Sequence, residues 1–266
     1  MIFVKVQTPR AKEWTDWRNA CKLKLDALKA QPGPPYEIDD NLYKQCRDLI
    51  FAPYANKCAY CEGKIFAQAA GQVEHFRPKS GLRNLKNRAV KIGPKEEKHP
   101  GYWWLAYDPS NLLPACGMCN VYTRKLGGKG ERFPLPDGGF VATKPGEEKK
   151  EKPLLIHPGR EDPAGLFDID FETGLLIPNN KRAEVCIEVL GLNREALLEE
   201  RYQAVNSATL HVRECRGKRT PPKKYSDNLR DHLEGKLPYS FVWRKVHERM
   251  TPGRRTSKRR PAKKAP

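Results

Sequence analysis

Two Cys-x-x-Cys pairs, Cys58-Ala-Tyr-Cys61 and Cys116-Gly-Met-Cys119, bracket a Glu74-His75 dipeptide and Asn111, and Asn120 follows the last cysteine directly. A short knuckle lets both thiolates of a pair turn to one side, so two pairs complete a tetrahedral sulfur shell around a structural Zn2+. Disulfides and buried free thiols are the alternatives. A highly charged chain without a secretion-signal pattern argues instead for a reducing compartment, where paired cysteines bind metal or do redox work. The gap between the pairs is much longer than in a compact zinc ribbon, so the segment threaded through it is the candidate active site.

Taken alone, a His beside a Glu is an ordinary surface or half-buried pair; its place between the cysteine pairs singles it out. A carboxylate adjacent to an imidazole at a strand end supplies a ligand for a hard cation and a separate base for water. Mg2+ prefers oxygen donors and keeps several waters, so one Glu and one Asn amide suffice when a phosphate provides the rest. Glu74 and Asn120 are thus candidate ligands of a catalytic divalent cation, and His75 is the candidate general base. Asn111, in the turn Asp108-Pro109-Ser110-Asn111, makes either a plain Asx turn or a hydrogen bond to the loop carrying His75, holding the imidazole in place. These are the parts of a metal-dependent phosphodiesterase.

Charge points the same way. Among 266 residues, 50 Lys and Arg face 32 Asp and Glu, a formal net charge of +18. Such an excess is either a solvated basic surface or an electrostatic footprint for nucleic acid, whose phosphates release counterions when neutralised. Beside a phosphodiesterase constellation it indicates DNA, with Arg77, Lys79, Arg83, Lys86, Arg88 and Lys129 as candidate contacts to its backbone. No apolar run approaches the roughly 18 residues of a membrane helix, and Met1-Ile2-Phe3-Val4 is too short for a signal peptide. The expectation is a soluble, cytoplasmic protein.

The elements that must position these groups follow from local pattern. Residues 9–30 form an amphipathic helix with Trp14, Trp17, Cys21, Leu25 and Leu28 on one face, and a second helix spans about Asp40 to Ile50. Val73 to Phe76 is a strand running into an Arg77-Pro78 turn. Residues 82–101 are a basic insertion, followed by core strand residues Tyr102, Trp103, Trp104 and Tyr107. After Pro114 a helix runs through Cys116, Cys119, Asn120 and Arg124. Residues 136–153 are an exposed connection. Phe167 to Ile177 is a hairpin, Lys181 to Leu190 a helix closed by Gly191, and Asn193 caps a further helix toward Cys215. His157 with Glu161 and Asp162 has no defensible ligand spacing. From Thr251 the chain is basic, with no acidic residue and almost no apolar one, a tail expected to be disordered until it meets polyanion.

The order Cys-x-x-Cys, Glu-His, Asn, Cys-x-x-Cys-Asn resembles the HNH endonuclease family. The phrases Val73-Glu-His-Phe-Arg-Pro-Lys-Ser80, Asn111-Leu-Leu-Pro-Ala-Cys116 and Lys129-Gly-Glu-Arg-Phe-Pro-Leu135 resemble in particular its PtuB-like nuclease subunits from Septu anti-phage defence and related retron-linked systems. The resemblance covers most of residues 40–205. It implies an α+β fold: a ββα-metal (HNH) core with a four-cysteine zinc knuckle, flanking helices and a small hairpin-plus-helix C-terminal region. The corresponding divisions are a helical region at 1–55, the core at 56–136 with its insertion at 82–101, a supporting region at 137–250 and the tail at 251–266. It further implies His75 as base, Glu74 and Asn120 as ligands of Mg2+ or another divalent cation, Asn111 as the residue orienting the His75 loop, and an ATPase partner resembling PtuA. The family most often has Asp where this chain has Glu74, and His where it has Asn120. A standalone HNH nuclease and a non-catalytic, zinc-stabilised nucleic-acid-binding module are the alternatives.

Overall fold

Helix α1, Lys12–Lys29, turns Trp14, Trp17, Cys21 and Leu28 inward from one face, as its apolar spacing requires. The Trp17 indole donates to the Leu42 carbonyl at 2.7 Å, docking α1 on α2, Asp40–Gln45. In this computed structural model residues 1–4, 12–65 and 71–252 are described; the basic tail from residue 253 onward and the expected start of the first helix at residue 9 lie outside them. Cys46 leaves the helical region (φ −89°, ψ 12°), so the expected second helix is two pieces, α2 and α3, Arg47–Phe51. The remaining elements are strands β1 Gln72–His75, β2 Lys91–Ile92, β3 Glu97–Lys98 and β4 Leu112–Ala115, helix α4 Gly117–Asn120, strands β5 Phe167–Ile169 and β6 Leu176–Pro178, and helices α5 Lys181–Leu190, α6 Glu195–Cys215, α7 Lys223–Leu233 and α8 Ser240–Met250. The fold is a mixture of helices and small antiparallel sheets, and no helix among the described residues is long and apolar enough to cross a membrane.

The pair that positions the candidate site is β1 with β4, antiparallel, with Glu74 opposite Leu113 and His75 opposite Leu112. β4 is buried throughout, which suits its Leu-Leu-Pro-Ala sequence. Pro114 is tolerated because a two-stranded sheet makes few demands for donors, and its carbonyl accepts the Ala59 N–H at 2.8 Å. That bond brings the first cysteine knuckle alongside the strand leading to the second.

The helix expected to run to Arg124 is the single turn α4, and Val121 is already extended (φ −85°, ψ 121°). The chain doubles back through a Thr123–Gly127 bridge, and the N–H groups of Lys129 and Gly130 take the carbonyls of Cys119 (2.8 Å) and Asn120 (2.7 Å). A longer helix would have claimed those carbonyls itself. Gly128 makes the return possible: at φ +94°, a Cβ there would lie 2.0 Å from the Val121 carbonyl oxygen.

One further expectation is corrected. Residues Trp103–Leu105 form a buried 3-10 turn rather than a strand, because consecutive aromatics from Tyr102 to Trp104 all go inward, which alternation in a strand forbids. The connection at 136–153 is exposed over most of its length, as expected, and is anchored at two buried residues, Ala142 and Glu151. Ala142 is fully buried, and Glu151 accepts from Arg77 (2.9 Å), Tyr102 (2.6 Å) and the Ala142 N–H (2.9 Å). Its charge run hid which carboxylate has buried partners. The insertion carries the hairpin β2–β3, anchored at its base by buried His99, which bonds the Ala142 carbonyl at 2.8 Å.

At the C-terminal side Asn193 does not cap α6, which begins after Arg194 without a side-chain cap. Its amide instead bonds both the N–H and the carbonyl of Leu176 (2.9 and 3.0 Å), tying α6 to the β5–β6 hairpin. Helices α6, α7 and α8 pack on one another, and the His232 ring stacks on Trp243 with centroids 3.7 Å apart. His157 is also buried, its two ring nitrogens on the Ser110 carbonyl and the Gly159 N–H at 3.1 Å each, while Glu161 is held by Arg182 at 2.6 Å; neither is available as a metal ligand.

Two outcomes are expected. Gly128→Ala should lower unfolding free energy by more than about 1 kcal/mol, read from the denaturant midpoint. Burial holds His157 down to about 3, and burial with His211 beside it holds His232 down to about 4, from an ordinary 6.5. Between those values and 6.5 the unfolded chain binds more protons, so stability should fall as pH drops through that window, by at most about 1.4 kcal/mol per pH unit for each histidine. Urea midpoints across the acid range check this, and His157→Gln should flatten the slope.

Candidate metal and active site

Cys58 and Cys61 sit in a tight turn closed by Glu62 N–H to Cys58 O (2.9 Å) and Cys58 N–H to Gly63 O (3.0 Å). Cys116 and Cys119 sit at the start of α4, with the Cys119 N–H on the Cys116 carbonyl at 3.0 Å. All four Sγ atoms lie within 4.8 Å of one another, with Cys61 and Cys116 at 3.8 Å. With Zn–S bonds of about 2.3 Å, the edge of a tetrahedral sulfur shell is about 3.8 Å. The four cysteines therefore fit a zinc ion. Neighbouring thiols pull Cys116 well below the ordinary thiol range, while burial pushes Cys58 above it.

Arg194 lies against the sulfur cluster, a placement that motif reading did not assign. Both of its terminal nitrogens lie 3.6 Å from the Cys119 sulfur, and one lies 3.9 Å from Cys116. Four thiolates around Zn2+ would leave two negative charges, and this guanidinium would offset part of them in a partly buried setting. It arrives from the turn between α5 and α6, too far along the chain for spacing to reveal it.

Glu74 and His75 end β1 and are both buried. His75 Nε2 lies 2.9 Å from the Ala106 carbonyl oxygen, which can only accept, so Nε2 carries the proton and Nδ1 the lone pair. Burial holds the imidazole neutral, with its pKa down to about 3, and Tyr43 packs edge-on at 4.8 Å. Asn111 is fully buried: its Oδ1 accepts the Arg77 N–H (2.8 Å), and its Nδ2 donates to the carbonyls of Arg77 (3.0 Å) and Leu105 (3.2 Å). It thereby braces the chain just after His75 and just before Ala106, the two sides of the imidazole hydrogen bond. This is more than a plain Asx turn.

Asn120 donates through Nδ2 to Gln72 Oε1 at 2.7 Å, which leaves Oδ1 as its acceptor. Gln72 and Glu74 share one face of β1, so the strand brings Asn120 to the Glu74 side. A carboxylate and an amide oxygen are the donor types a hard cation takes. Glu74 already has one counter-charge: Lys129 Nζ lies 2.6 Å from Oε1, with both side chains at most 5% exposed. The ammonium's directed bonds go to the carbonyls of His75 (2.8 Å) and Gly130 (3.3 Å), and no hydrogen bond is directed at Glu74 Oε1. Burial pushes the Glu74 carboxyl up and the Lys129 ammonium down, each opposed by the charge of the other.

The candidate DNA contacts divide. Arg77 and Lys129 are buried, spent on Glu151 and Glu74, so neither is placed to meet a backbone. Their charge counts toward the interior because each has a carboxylate fixed beside it. Lys79 pairs with Asp40 (2.6 Å) and Arg83 with Glu131 (3.0 Å), both still partly accessible. Lys86 and Arg88 are exposed on the insertion.

The chain is 32% identical over 166 residues to Septu protein PtuB of Bacillus mycoides (strain KBAB4), covering 62% of this chain and 52% of that protein. It is also 33% identical over 153 residues to Septu protein PtuA of the same strain, covering 56% of this chain and 19% of PtuA. The chain thus spans about half the length of PtuB and about a fifth of PtuA. No family model matches it, and no solved structure does.

Metal analysis of the purified protein should find one zinc per chain. Cys119→Ala should lose it and lower thermal stability together. Arg194→Ala should leave the fold intact but speed zinc loss to a competing chelator by roughly tenfold or more, with Arg194→Lys intermediate.

Proposed function

We propose that the chain is a divalent-metal-dependent HNH endonuclease that hydrolyses DNA phosphodiester bonds as the nuclease effector of a Septu-like anti-phage defence system. In this reading β1, β4 and α4 are a ββα-metal core, and the four cysteines hold a structural Zn2+ that keeps it in register. The observation that carries the reading is the 2.9 Å bond from His75 Nε2 to the Ala106 carbonyl. It leaves Nδ1 as the one basic nitrogen of an imidazole that stays neutral, on the same strand as Glu74, whose carboxylate is a donor of the type that binds Mg2+.

His75 Nδ1 takes a proton from water as its oxygen attacks phosphorus, and the bond from phosphorus to the leaving oxygen breaks. A divalent cation held by Glu74 and Asn120 would stabilise the charge that develops on the phosphate and the leaving oxygen. Asn111 keeps the imidazole from turning away by fixing the chain on both sides of it. Lys86 and Arg88, with Lys79 and Arg83 behind them, would meet the DNA backbone. A PtuA-like ATPase subunit is the proposed partner. The match to PtuA itself is a shared segment and says nothing of contact, so co-purification is the relevant measurement.

One observation favours a second reading, a zinc-stabilised nucleic-acid-binding module without catalysis: the Glu74 carboxylate is already charge-neutralised by Lys129. Supercoiled plasmid with Mg2+ separates the two. The nuclease reading expects cleavage, lost by about a hundredfold or more in His75→Ala with an unchanged unfolding midpoint. A His75→Ala protein that cuts like the parent would end that reading.

A further inference from the structure

Glu74 and Lys129 form an ion pair 2.6 Å apart, with the lysine side chain fully buried. The lysine is held in place along its whole length. Its N–H bonds the Cys119 carbonyl at 2.8 Å, its carbonyl accepts from Arg132 at 3.0 Å, and its ammonium bonds the His75 carbonyl at 2.8 Å. It cannot swing out to solvent without breaking the strand end and the turn behind the second cysteine knuckle.

The charges nearby complete the picture. Glu131, the other carboxylate that acts on Lys129, is taken by Arg83 at 3.0 Å. Asn120 and Gln72 are neutral side chains bonded to one another at 2.7 Å. Glu74 carries one negative charge and Lys129 cancels it, while the buried Arg132 guanidinium, which also acts on Lys129, adds a further positive one. A dication approaching Glu74 gains attraction from the carboxylate and meets repulsion from an ammonium that cannot retreat, both at close range in a poorly screened setting.

We infer that Lys129 makes cation binding at Glu74 conditional on a bound phosphodiester, whose negative charge replaces the one that Lys129 cancels. The inference rests on the endonuclease reading and adds its order of assembly. Linkage makes the effect reciprocal, so the cation strengthens phosphodiester binding by the same factor. Lys129 is then a positioning residue that keeps the site without its cation, and so inactive, until nucleic acid arrives.

The test is Mn2+ affinity, measured by electron paramagnetic resonance on the full chain at mildly alkaline pH, with and without a duplex carrying non-hydrolysable linkages. The parent protein should bind Mn2+ at least tenfold more tightly with duplex than without. Lys129→Met should bind Mn2+ at least tenfold more tightly than the parent in the absence of duplex and should lose most of the coupling, while Lys129→Arg should behave like the parent. Equal parent affinity with and without duplex would overturn the inference, as would an unchanged Lys129→Met affinity in a folded protein. Glu74→Gln/Lys129→Met, a neutral pair of similar shape, separates this from failure of the underlying reading. If it keeps the parent's duplex-dependent Mn2+ binding, the cation is not at Glu74 and both ideas fall; loss of that binding places the cation at Glu74 and leaves the coupling measurement to decide.

Discussion

The convergence of four sulfurs within 4.8 Å is the constraint from which the rest of the site follows. It brings two chain segments, one before β1 and one after β4, to a single point, so everything between them must leave and return. The β1–β4 pair is the shortest way to do so, and the bond from Ala59 to Pro114 locks the first knuckle to the strand feeding the second. Glu74 and His75 sit on that pair, and Asn120 sits one residue past the last sulfur. The geometry of the polar groups is thus inherited from the knuckles rather than built by a large sheet, which the described residues do not form.

Around this point the protein turns several cations inward. Lys129 faces Glu74, Arg77 faces Glu151, and Arg194 faces the sulfurs. Each is held by a partner that came from a distant segment, and each would be costly to leave unpaired in the interior. The buried Lys129–Glu74 and Arg77–Glu151 pairs each sum to zero, so the formal net charge of +18 is carried by the residues outside them. The exposed share lies in places such as Lys86 and Arg88, whose hairpin is anchored by buried His99 but carries no core of its own.

The same inward cations connect segments distant in sequence. Arg77 fastens the 137–153 segment against the aromatics of Tyr102 and Trp104, while Arg194 and Asn193 fasten α5, α6 and the β5–β6 hairpin to the second knuckle. The C-terminal helices are coupled to the sulfur site by the Arg194 guanidinium and by Glu62, directly after Cys61, whose carboxylate accepts the Phe241 N–H at 3.1 Å. Lys57, buried beside the first knuckle, reaches the turn before α8, donating to Leu237 at 3.0 Å.

Spacing and residue chemistry alone were enough to bring out the cysteine quartet, the Glu74-His75 strand, the inward face of α1, the β5–β6 hairpin and α5 with its Gly191 stop. Each of these depends on neighbours close in sequence, where periodicity and turn chemistry act directly. The bracing role of Asn111 was one of two readings open to the residues, and the bonds to Arg77 and Leu105 chose between them. What only the tertiary structure decided was the fate of charges and chain ends: the single turn of α4, the anchoring of 136–153 at Ala142 and Glu151, Asn193 spent on a hairpin instead of a cap, and Arg77 and Lys129 buried instead of presented to DNA. Those outcomes depend on which partner a distant segment brings within hydrogen-bonding range. The cost of burying a charge or an unpaired carbonyl is set by that partner, and local sequence carries no record of it.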